Sequence, residues 1–223
     1  MKGDCILPHY NTLAASVIIN CEKKKQTLID FDKSLRLIGK GRSAFVFRIK
    51  NTKKAMKVFF PEHIHIAKEE AAIYRKIQHI QYYPTLHEAG PNYLVIDYID
   101  GHTLFDCLTC GIPISEDKIR EIDDALQLAK QEGLNPSDIH LRNIFITSKK
   151  EIKIIDVARF RQTKACEQWN DLKNAFYRYY TKAFFPKKIP VFILNLIAGI
   201  YKKKNSFRTK KLNTFLALFY GFL

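Results

Sequence analysis

The spacing of apolar and polar residues predicts mainly short strands in the first part of the chain. Five segments have strand character, at residues 35–38, 44–49, 55–60, 85–88 and 93–99. Phe45 and Phe47 would share one face of the second strand, with Val46 on the other. Between the third and fourth segments, residues 64–77 carry isoleucines at close to helical spacing. The pattern therefore predicts five strands and one helix by residue 99.

Helical patterns dominate the rest of the chain. Residues 115–132 predict a helix that ends at Gly133, with an apolar face formed by Ile119, Ile122, Leu126 and Ala129. After a polar loop, two short strands at 143–147 and 152–155 predict a hairpin. The chain from Glu167 onward is predicted to be helical.

The composition indicates a folded protein with a basic C-terminal part. The chain has 223 residues, of which 47% are hydrophobic, so it can bury a substantial core. The apolar stretches at 189–201 and 212–223 are shorter than a membrane span of about 20 residues. The N-terminus also lacks the apolar segment of a signal peptide, so a soluble, cytoplasmic protein is expected.

The formal net charge is +15, and residues 161–223 contain 13 Lys and Arg against only Glu167 and Asp171, a net charge of +11. Such a region could attract nucleic acid, an anionic membrane or an acidic protein. A solvated helix face that keeps the protein in solution explains the same charges equally well.

A glycine-rich turn separates the first two predicted strands. Gly39 and Gly41, followed by the small Ser43, would let backbone amides approach phosphate oxygens without obstruction by a Cβ atom. An ordinary β-turn explains the same residues. The turn is not a Walker A loop, because no Gly-Lys-Ser or Gly-Lys-Thr opens a helix here.

A lysine in the next strand strengthens the phosphate interpretation. Lys57 lies among apolar residues, and an ammonium group buried without a partner is costly. The helix that follows offers Glu69 and Glu70 as partners. Glu70 lies three and seven residues before Ile73 and Ile77, on their inward face, and is therefore preferred.

Three oxygen-bearing side chains surround the predicted hairpin. Asp138 precedes Asn143 by five positions on the loop that leads into it, and Asp156 ends its returning strand. Carboxylate and amide oxygens suit an Mg²⁺ ion that bridges triphosphate oxygens. A free carboxylate nearby could accept a proton from an attacking hydroxyl. Each aspartate alone is explained by a turn or a cap, so the interpretation depends on the spacing of all three.

Together these residues resemble the protein-kinase superfamily over residues 37–160, most closely the compact bacterial serine/threonine-kinase-like proteins. The segment 38–46 is similar to the glycine-rich loop without its third glycine, and 55–58 to the strand that bears the phosphate-pairing lysine. Residues 93–101 resemble the strand and hinge that contact adenine, and 138–145 the catalytic loop.

The resemblance implies roles for individual residues. Asp138 would be the catalytic base, Lys57 would position the α and β phosphates with Glu70 as its partner, and Asn143 and Asp156 would bind Mg²⁺. ATP would be bound by Ile38, Gly39, Lys40, Gly41, Ser43, Val46, Lys57, Asp97, Tyr98 and Ile99. In addition, Ile96 would be the gatekeeper, and Arg142 would add positive charge near the transferred group.

The chain departs from the family pattern beside both aspartates. Pro136-Ser137 replaces the His-Arg that precedes the base, and Val157-Ala158 replaces Phe-Gly after Asp156. Only twelve residues separate Asp156 from Trp169, where a helix is predicted to begin. The resemblance therefore implies a reduced activation segment and constitutive activity, and it supports phosphoryl transfer better than it supports a protein substrate.

The implied fold is α+β and bilobal, with a small antiparallel β-sheet lobe at 35–99 and a larger, mainly helical lobe at 100–223. Residues 1–34 are either extra strands of the small lobe or a loosely held extension. The expected function is ATP- and Mg²⁺-dependent transfer of the γ-phosphoryl group to a hydroxyl acceptor, with protein serine or threonine as the first candidate. A small-molecule kinase and a nucleotide-binding pseudokinase scaffold are the alternatives, and the complete polar set argues against the second.

Overall fold

The structure is a computed structural model that describes residues 9–22 and 25–206. Its strands are β1 (Ile18–Glu22), β2 (Lys25–Asp30), β3 (Leu35–Lys40), β4 (Ala44–Ile49), β5 (Lys54–Phe59), β6 (Leu86–Ala89), β7 (Tyr93–Asp97), β8 (Gly101–Thr103), β9 (Ile144–Thr147) and β10 (Ile152–Ile154). Its α-helices are α1 (Tyr10–Ala15), α2 (Ile64–Ile77), α3 (Leu104–Cys110), α4 (Glu116–Gln131), α5 (Gln168–Ala175) and α6 (Val191–Ser206). They form a β-sheet lobe followed by a mainly helical lobe, which confirms the predicted α+β, bilobal fold.

The N-terminal lobe is built on an antiparallel sheet of five strands in the order β3-β4-β5-β7-β6. The five strands predicted from the sequence are all present, and their ends differ from the prediction by at most two residues. Phe45 and Phe47 are buried on one face, as expected from alternation along a strand. Val46 pairs with Gly39 on one side and with Lys57 on the other, so these three residues share the opposite face.

The described residues before β3 pack against the face of the sheet that buries Phe47. Leu13 of α1 is fully buried in the same apolar cluster as Phe47. β1 and β2 form an antiparallel hairpin, and Ile19 and Leu28 of that hairpin pack against this cluster. The described residues before β3 therefore pack on the small lobe as a short helix and a separate two-stranded sheet.

α2 contributes to the main apolar cluster of the protein, which continues into the second lobe. The helix has the bounds predicted from its isoleucine spacing, and Ile73 and Ile77 are fully buried. Arg75 and Lys76 lie in its last turn, where positive charge is favourable for the helix dipole. The cluster includes residues of α3, α4 and the β9-β10 hairpin, so α2 is held between the two lobes.

Two elements of the second lobe were not predicted. β8 joins β9 and β10 in a three-stranded sheet, and α3 follows β8 directly. α3 has seven residues and is mostly apolar, so it shows no polar face to reveal its period. Its limits are nevertheless marked in the sequence, because Thr103 and Asp106 form a capping box and Gly111 ends the helix at φ 76°.

The C-terminal part is helical only in sections, so the prediction of helix throughout from Glu167 is wrong. α5 continues into a π-helical turn at Phe176–Tyr180, and residues 181–190 then lack regular helix. Pro186 and Pro190 lie in this stretch and lack a backbone N–H donor. None of the helices in the described ranges is long and apolar enough to cross a membrane. The predicted apolar stretch at 212–223, and the side chains of the basic region from residue 202 onward, lie outside what the structure describes.

Candidate active site

Lys57 lies at the centre of an ion-pair network that joins three elements. Its Nζ is 2.7 Å from Glu70 Oε2, 3.0 Å from Glu70 Oε1 and 2.9 Å from Asp156 Oδ1. The side chain of Glu70 is 1% exposed and that of Lys57 is 12% exposed. Glu69 is exposed, so the choice between the two glutamates follows the helical face. β5, α2 and the segment after β10 therefore meet at one ammonium group.

Lys57 and Asp156 each stabilise the charged form of the other. Burial alone would lower the pKa of Lys57, but the carboxylates of Glu70 and Asp156 outweigh it and raise that pKa above its ordinary value. The Lys57 ammonium in turn lowers the pKa of Asp156, against the opposing effect of burial. Lys57 is therefore a cation and Asp156 an anion at neutral pH.

Asp138 and Asp156 both have left-handed backbone conformations, with φ of 61° and 60°. This region costs a non-glycine residue about 1–2 kcal/mol. The other two non-glycine residues with positive φ in the described ranges, Asn51 and Lys150, lie in the turns of hairpins. At Asp138 and Asp156 no hairpin explains the strain, and strain of this kind tends to be kept where function requires it.

Asn143 ties the loop of Asp138 to the segment before Asp156. Its Nδ2 donates to the backbone carbonyl of Asp138 at 3.2 Å, and its own backbone carbonyl accepts from the amide of Ile155 at 2.9 Å. The residue is 6% exposed. Since the side-chain nitrogen faces the loop, Oδ1 is the side-chain atom that can serve as a ligand.

The glycine-rich turn lies on the same row of the sheet as Lys57. The register of β3 and β4 shifts at Ile38, and the amide of Gly41 donates to the carbonyl of Ala44 at 2.8 Å, which closes the turn. A Cβ at Gly39 would meet its nearest atom at 3.9 Å, and one at Gly41 at 3.6 Å. Both are ordinary contacts, so the protein itself does not require glycine at either position.

The remaining predicted nucleotide residues lie around this turn and at the end of β7. Ile38 is 41% exposed and Val46 is half-buried. The ammonium of Lys40 donates to the carbonyl of Gln26 on β2. The amide of Phe60 donates to the carbonyl of Ser43 at 2.8 Å.

The hinge after β7 is partly occupied by contacts within the protein. The carboxylate of Asp97 accepts from the amide of Thr85 at 2.8 Å and pairs with His87 Nε2 at 2.8 Å. The amide of Tyr98 donates to the carbonyl of Lys53 at 2.9 Å. Only other backbone groups of the hinge can therefore serve an adenine base.

Two arginines that the sequence did not predict contact Asp138. Arg42 Nη2 lies 2.5 Å from Asp138 Oδ2, and Arg159 Nε lies 3.5 Å from the same oxygen. Arg42 belongs to the glycine-rich turn and Arg159 to the turn after Asp156. Nothing local in the sequence connects either arginine with Asp138, and Arg42 lies 96 positions away from it.

Arg142 takes a different place from the one expected. Its guanidinium carbon is 3.4 Å from the ring centroid of Phe105, and its Nη2 donates to Asn195 Oδ1 at 3.1 Å. This side chain therefore joins the catalytic-loop region to α3 and α6, and the positive charge in contact with Asp138 comes from Arg42 and Arg159.

Asn135 is a further residue that the sequence did not reveal. Its backbone amide donates to the carbonyl of Phe160 at 2.7 Å. Its Nδ2 donates to the carbonyls of Gln162 and Lys164, at 2.8 and 2.9 Å. One side chain thus fastens the short segment after Asp156 to the start of the loop that carries Asp138.

Comparisons with known proteins show similarity to protein kinases. The family model described as "Protein kinase domain" matches residues 33–181. The chain is 46% identical over 200 residues to the Bacillus subtilis (strain 168) protein named "Putative serine/threonine-protein kinase YrzF". The matched region covers 89% of this chain and 93% of that protein. It is also 32% identical over 96 residues to 3-phosphoinositide-dependent protein kinase 1 of Arabidopsis thaliana, over 40% of this chain and 20% of that protein.

Proposed function

The chain belongs to the protein kinase family and is a phosphotransferase, and on this premise we propose that it transfers the γ-phosphoryl group of Mg-ATP to a hydroxyl acceptor. Protein serine or threonine is the first candidate, because the bacterial relative bears that name. The observation that carries the proposal is the contact of Lys57 with both Glu70 and Asp156.

In this proposal Lys57 positions the α and β phosphates of ATP. Glu70 keeps the ammonium group in place, because its buried carboxylate has no better partner than this cation. Gly39 and Gly41 leave the backbone open for the phosphates, since neither glycine is needed by the fold. The hinge backbone from Asp97 to Ile99 would hold the base, apart from the amides of Asp97 and Tyr98, which already donate to the carbonyls of Thr85 and Lys53.

Asp156 and Asn143 are the proposed ligands of Mg²⁺. The donor set fits the ion, because one carboxylate and one amide oxygen leave room for phosphate oxygens and water, as Mg²⁺ prefers. When bound, Mg²⁺ would neutralise charge that develops on the phosphate oxygens. The lowered pKa of Asp156, caused first by Lys57, keeps that carboxylate ionised and ready to bind.

Asp138 is the proposed base for the acceptor hydroxyl. Its carboxylate is 24% exposed, so an acceptor can reach it. The backbone carbonyl of Asp138 is held by Asn143, which fixes the loop relative to the metal ligands. Asp138 would orient the hydroxyl and accept its proton as the oxygen attacks the γ-phosphorus, while the bond from that phosphorus to the β-phosphate oxygen breaks and ADP leaves.

The short segment after Asp156 supports activity that does not depend on phosphorylation. Asn135 holds this segment through three hydrogen bonds without any phosphate group. Ser137 occupies the position before Asp138, where the family places an arginine, and it is fully buried. We therefore propose a constitutive enzyme.

Binding of Mg-ATP is expected to raise the melting temperature of the full chain and to be accompanied by turnover. At a concentration about 100-fold above Kd, a ligand stabilises by about 2.7 kcal/mol, or roughly 5–10 °C for a domain of this size. Removal of Mg²⁺ with EDTA should abolish most of the shift. The measurement pairs thermal unfolding with transfer of radiolabelled phosphate to a panel of serine and threonine peptides and small hydroxyl compounds.

The two readouts separate the kinase from a pseudokinase. A thermal shift without transfer to any acceptor, or to the protein itself, would contradict the proposed activity and favour a nucleotide-binding scaffold. The absence of both would contradict the proposed site as well.

We also propose that the basic C-terminal part contacts an anionic membrane. Three apolar residues of α6 are exposed, namely Val191 at 51%, Phe192 at 71% and Leu196 at 54%. The exposed Lys188 comes just before this helix, whereas the ammonium of Lys187 donates to the carbonyl of Tyr180, and no Asp or Glu follows Asp171 in the sequence. Exposed apolar side chains beside positive charge are typical of helices that lie in the membrane interface.

We expect the full chain to bind vesicles of phosphatidylcholine mixed with phosphatidylserine, but not vesicles of phosphatidylcholine alone. Phe192→Ser should weaken binding at ~0.2 M salt, because apolar insertion persists where purely electrostatic contacts weaken. The control is Leu128→Ser, because Leu128 is an exposed leucine of α4 outside the basic C-terminal part. Cosedimentation measures both. Equal binding by the two variants, or preference for RNA over vesicles, would contradict a membrane role.

A further inference from the structure

Two guanidinium groups converge on the carboxylate of the proposed base. Arg42 reaches Asp138 Oδ2 from the glycine-rich turn of the first lobe, and Arg159 reaches the same oxygen from the second. Their side chains are 69% and 58% exposed, whereas that of Asp138 is 24% exposed. The base is thus flanked by two solvent-accessible cations that have no role in the proposed binding of ATP and Mg²⁺.

An acceptor must displace at least part of this contact. Its hydroxyl has to come within hydrogen-bond distance of the Asp138 carboxylate before transfer. A guanidinium group stays charged at any relevant pH and favours a planar anion that it can bind with two hydrogen bonds. When the acceptor hydroxyl takes the carboxylate, the two arginines therefore face the acceptor and select an anionic group on it.

The charges of the residues that follow Asp156 also favour an anionic acceptor. After Asp156 the sequence carries Arg159, Arg161 and Lys164 before the first acidic residue, Glu167. Arg161 and Lys164 are exposed. A cationic acceptor would meet repulsion on this side of the site, whereas an anionic one would be attracted and oriented.

We propose that the acceptor is a hydroxyl compound with a carboxylate or phosphate next to the hydroxyl, and that Arg42 and Arg159 bind this anionic group. An acidic serine or threonine peptide is one source of this chemistry, and a small phosphorylated polyol is the other. The inference rests on the proposed kinase function and narrows its substrate class. Arg42 and Arg159 would be specificity residues, in contact with the acceptor.

The test uses the purified full chain with Mg-ATP and three peptides that share one serine, flanked by Glu, Gln or Lys. We expect kcat/KM to be about tenfold higher for the acidic peptide than for the neutral one, and lowest for the basic one. A phosphorylated polyol and its dephosphorylated form make the matched small-molecule pair. The acidic peptide and the phosphorylated polyol are then compared, and the one with the higher kcat/KM is identified as the class of acceptor.

Charge reversal separates recognition from a structural role. Arg159→Glu and Arg42→Glu should each raise KM for the anionic acceptor and favour the basic peptide over the acidic one, with the KM for ATP unchanged. Arg36→Glu, at an exposed position of β3, is the control and should leave the preference as in the wild type. If Arg42→Lys and Arg159→Lys keep the wild-type preference for the acidic peptide, the two positions recognise the acceptor by charge.

The outcomes are distinguishable from failure of the proposed function. Equal use of all acceptors by the wild type, or a preference that the charge reversals leave intact, would overturn this inference while the kinase stands. A higher KM for ATP alone in Arg42→Glu would assign Arg42 to the nucleotide and also overturn it. No transfer to any acceptor would remove the kinase function itself.

Discussion

Replacement of Asp138 by asparagine is expected to reduce phosphoryl transfer by about 10²–10⁴-fold while Mg-ATP still binds. The amide has nearly the size of the carboxylate, and asparagine tolerates the left-handed backbone that this position adopts at φ 61°. The loop should therefore keep its conformation. The amide cannot accept the proton of the acceptor hydroxyl, so the loss falls on kcat.

The measurement compares transfer of radiolabelled phosphate by the variant and the wild type, with the Mg-ATP thermal shift as the binding readout. Asp117→Asn is the matched control, because Asp117 is 77% exposed on α4, away from the network around Lys57. Asp138→Asn also removes the partner of Arg42 and Arg159, but ion pairs this exposed contribute only about 0–1 kcal/mol to stability. Transfer at the wild-type rate would show that Asp138 is not the base.

Local sequence patterns predicted the structure correctly wherever the period of a helix or a strand determines which side chains share a face. The spacing of Ile73 and Ile77 placed Glu70 inward and Glu69 outward, and the structure has both as expected. Alternation along β4 likewise separated the buried Phe45 from Val46, which shares its row with Lys57. The ion pair of Lys57 with Glu70 was therefore predictable from two periodicities and the cost of an unpaired buried charge.

Prediction failed where the signal was short or was interrupted. α3 has too few residues to display a helical period, although its capping box and Gly111 mark its ends. The break at 181–190 was hidden by apolar and basic residues typical of a helix, and only Pro186 and Pro190 indicated it. The helical propensity of these residues does not prevail here, because proline lacks the backbone N–H that a helix interior needs.

The contacts around Asp138 could not be read from the sequence for a different reason. Arg42 is 96 positions from Asp138 in the sequence, and the two meet only because the lobes face each other. Asn135 reaches carbonyls of the segment after Asp156, which follow it by 27 and 29 positions. Such pairings depend on tertiary placement, so residue type and local spacing leave many partners possible.

Replacement of Lys57 by methionine is expected to abolish transfer and to destabilise the protein by about 3–5 kcal/mol. Activity is lost because the phosphates lose their cation. Stability is lost because Glu70, which is 1% exposed, is left without a partner in the core between the lobes. Methionine replaces the aliphatic part of the lysine, so lost packing contributes little.

The double variant Lys57→Met with Glu70→Gln separates the two effects. The neutral amide removes the buried charge, so most of the lost stability should return while activity stays absent. Glu69→Gln in the Lys57→Met background is the matched control, because Glu69 is exposed on the same helix and its substitution should restore nothing. Urea denaturation gives the free energies of unfolding.

The pH dependence gives an independent check on the same variants. Burial raises the pKa of Glu70, and the Lys57 ammonium opposes this rise. With methionine at position 57 only the raising effects are left, so folded Glu70 binds a proton more tightly than the unfolded chain does. The contribution of Glu70 to the stability of Lys57→Met should therefore be fully present below the ordinary glutamate pKa of about 4.3 and be lost as the pH rises through its raised folded pKa. This loss should be smaller in the double variant. Identical pH profiles for the two variants would show that no uncompensated carboxylate is buried at Glu70, which would remove the electrostatic role assigned to the pair.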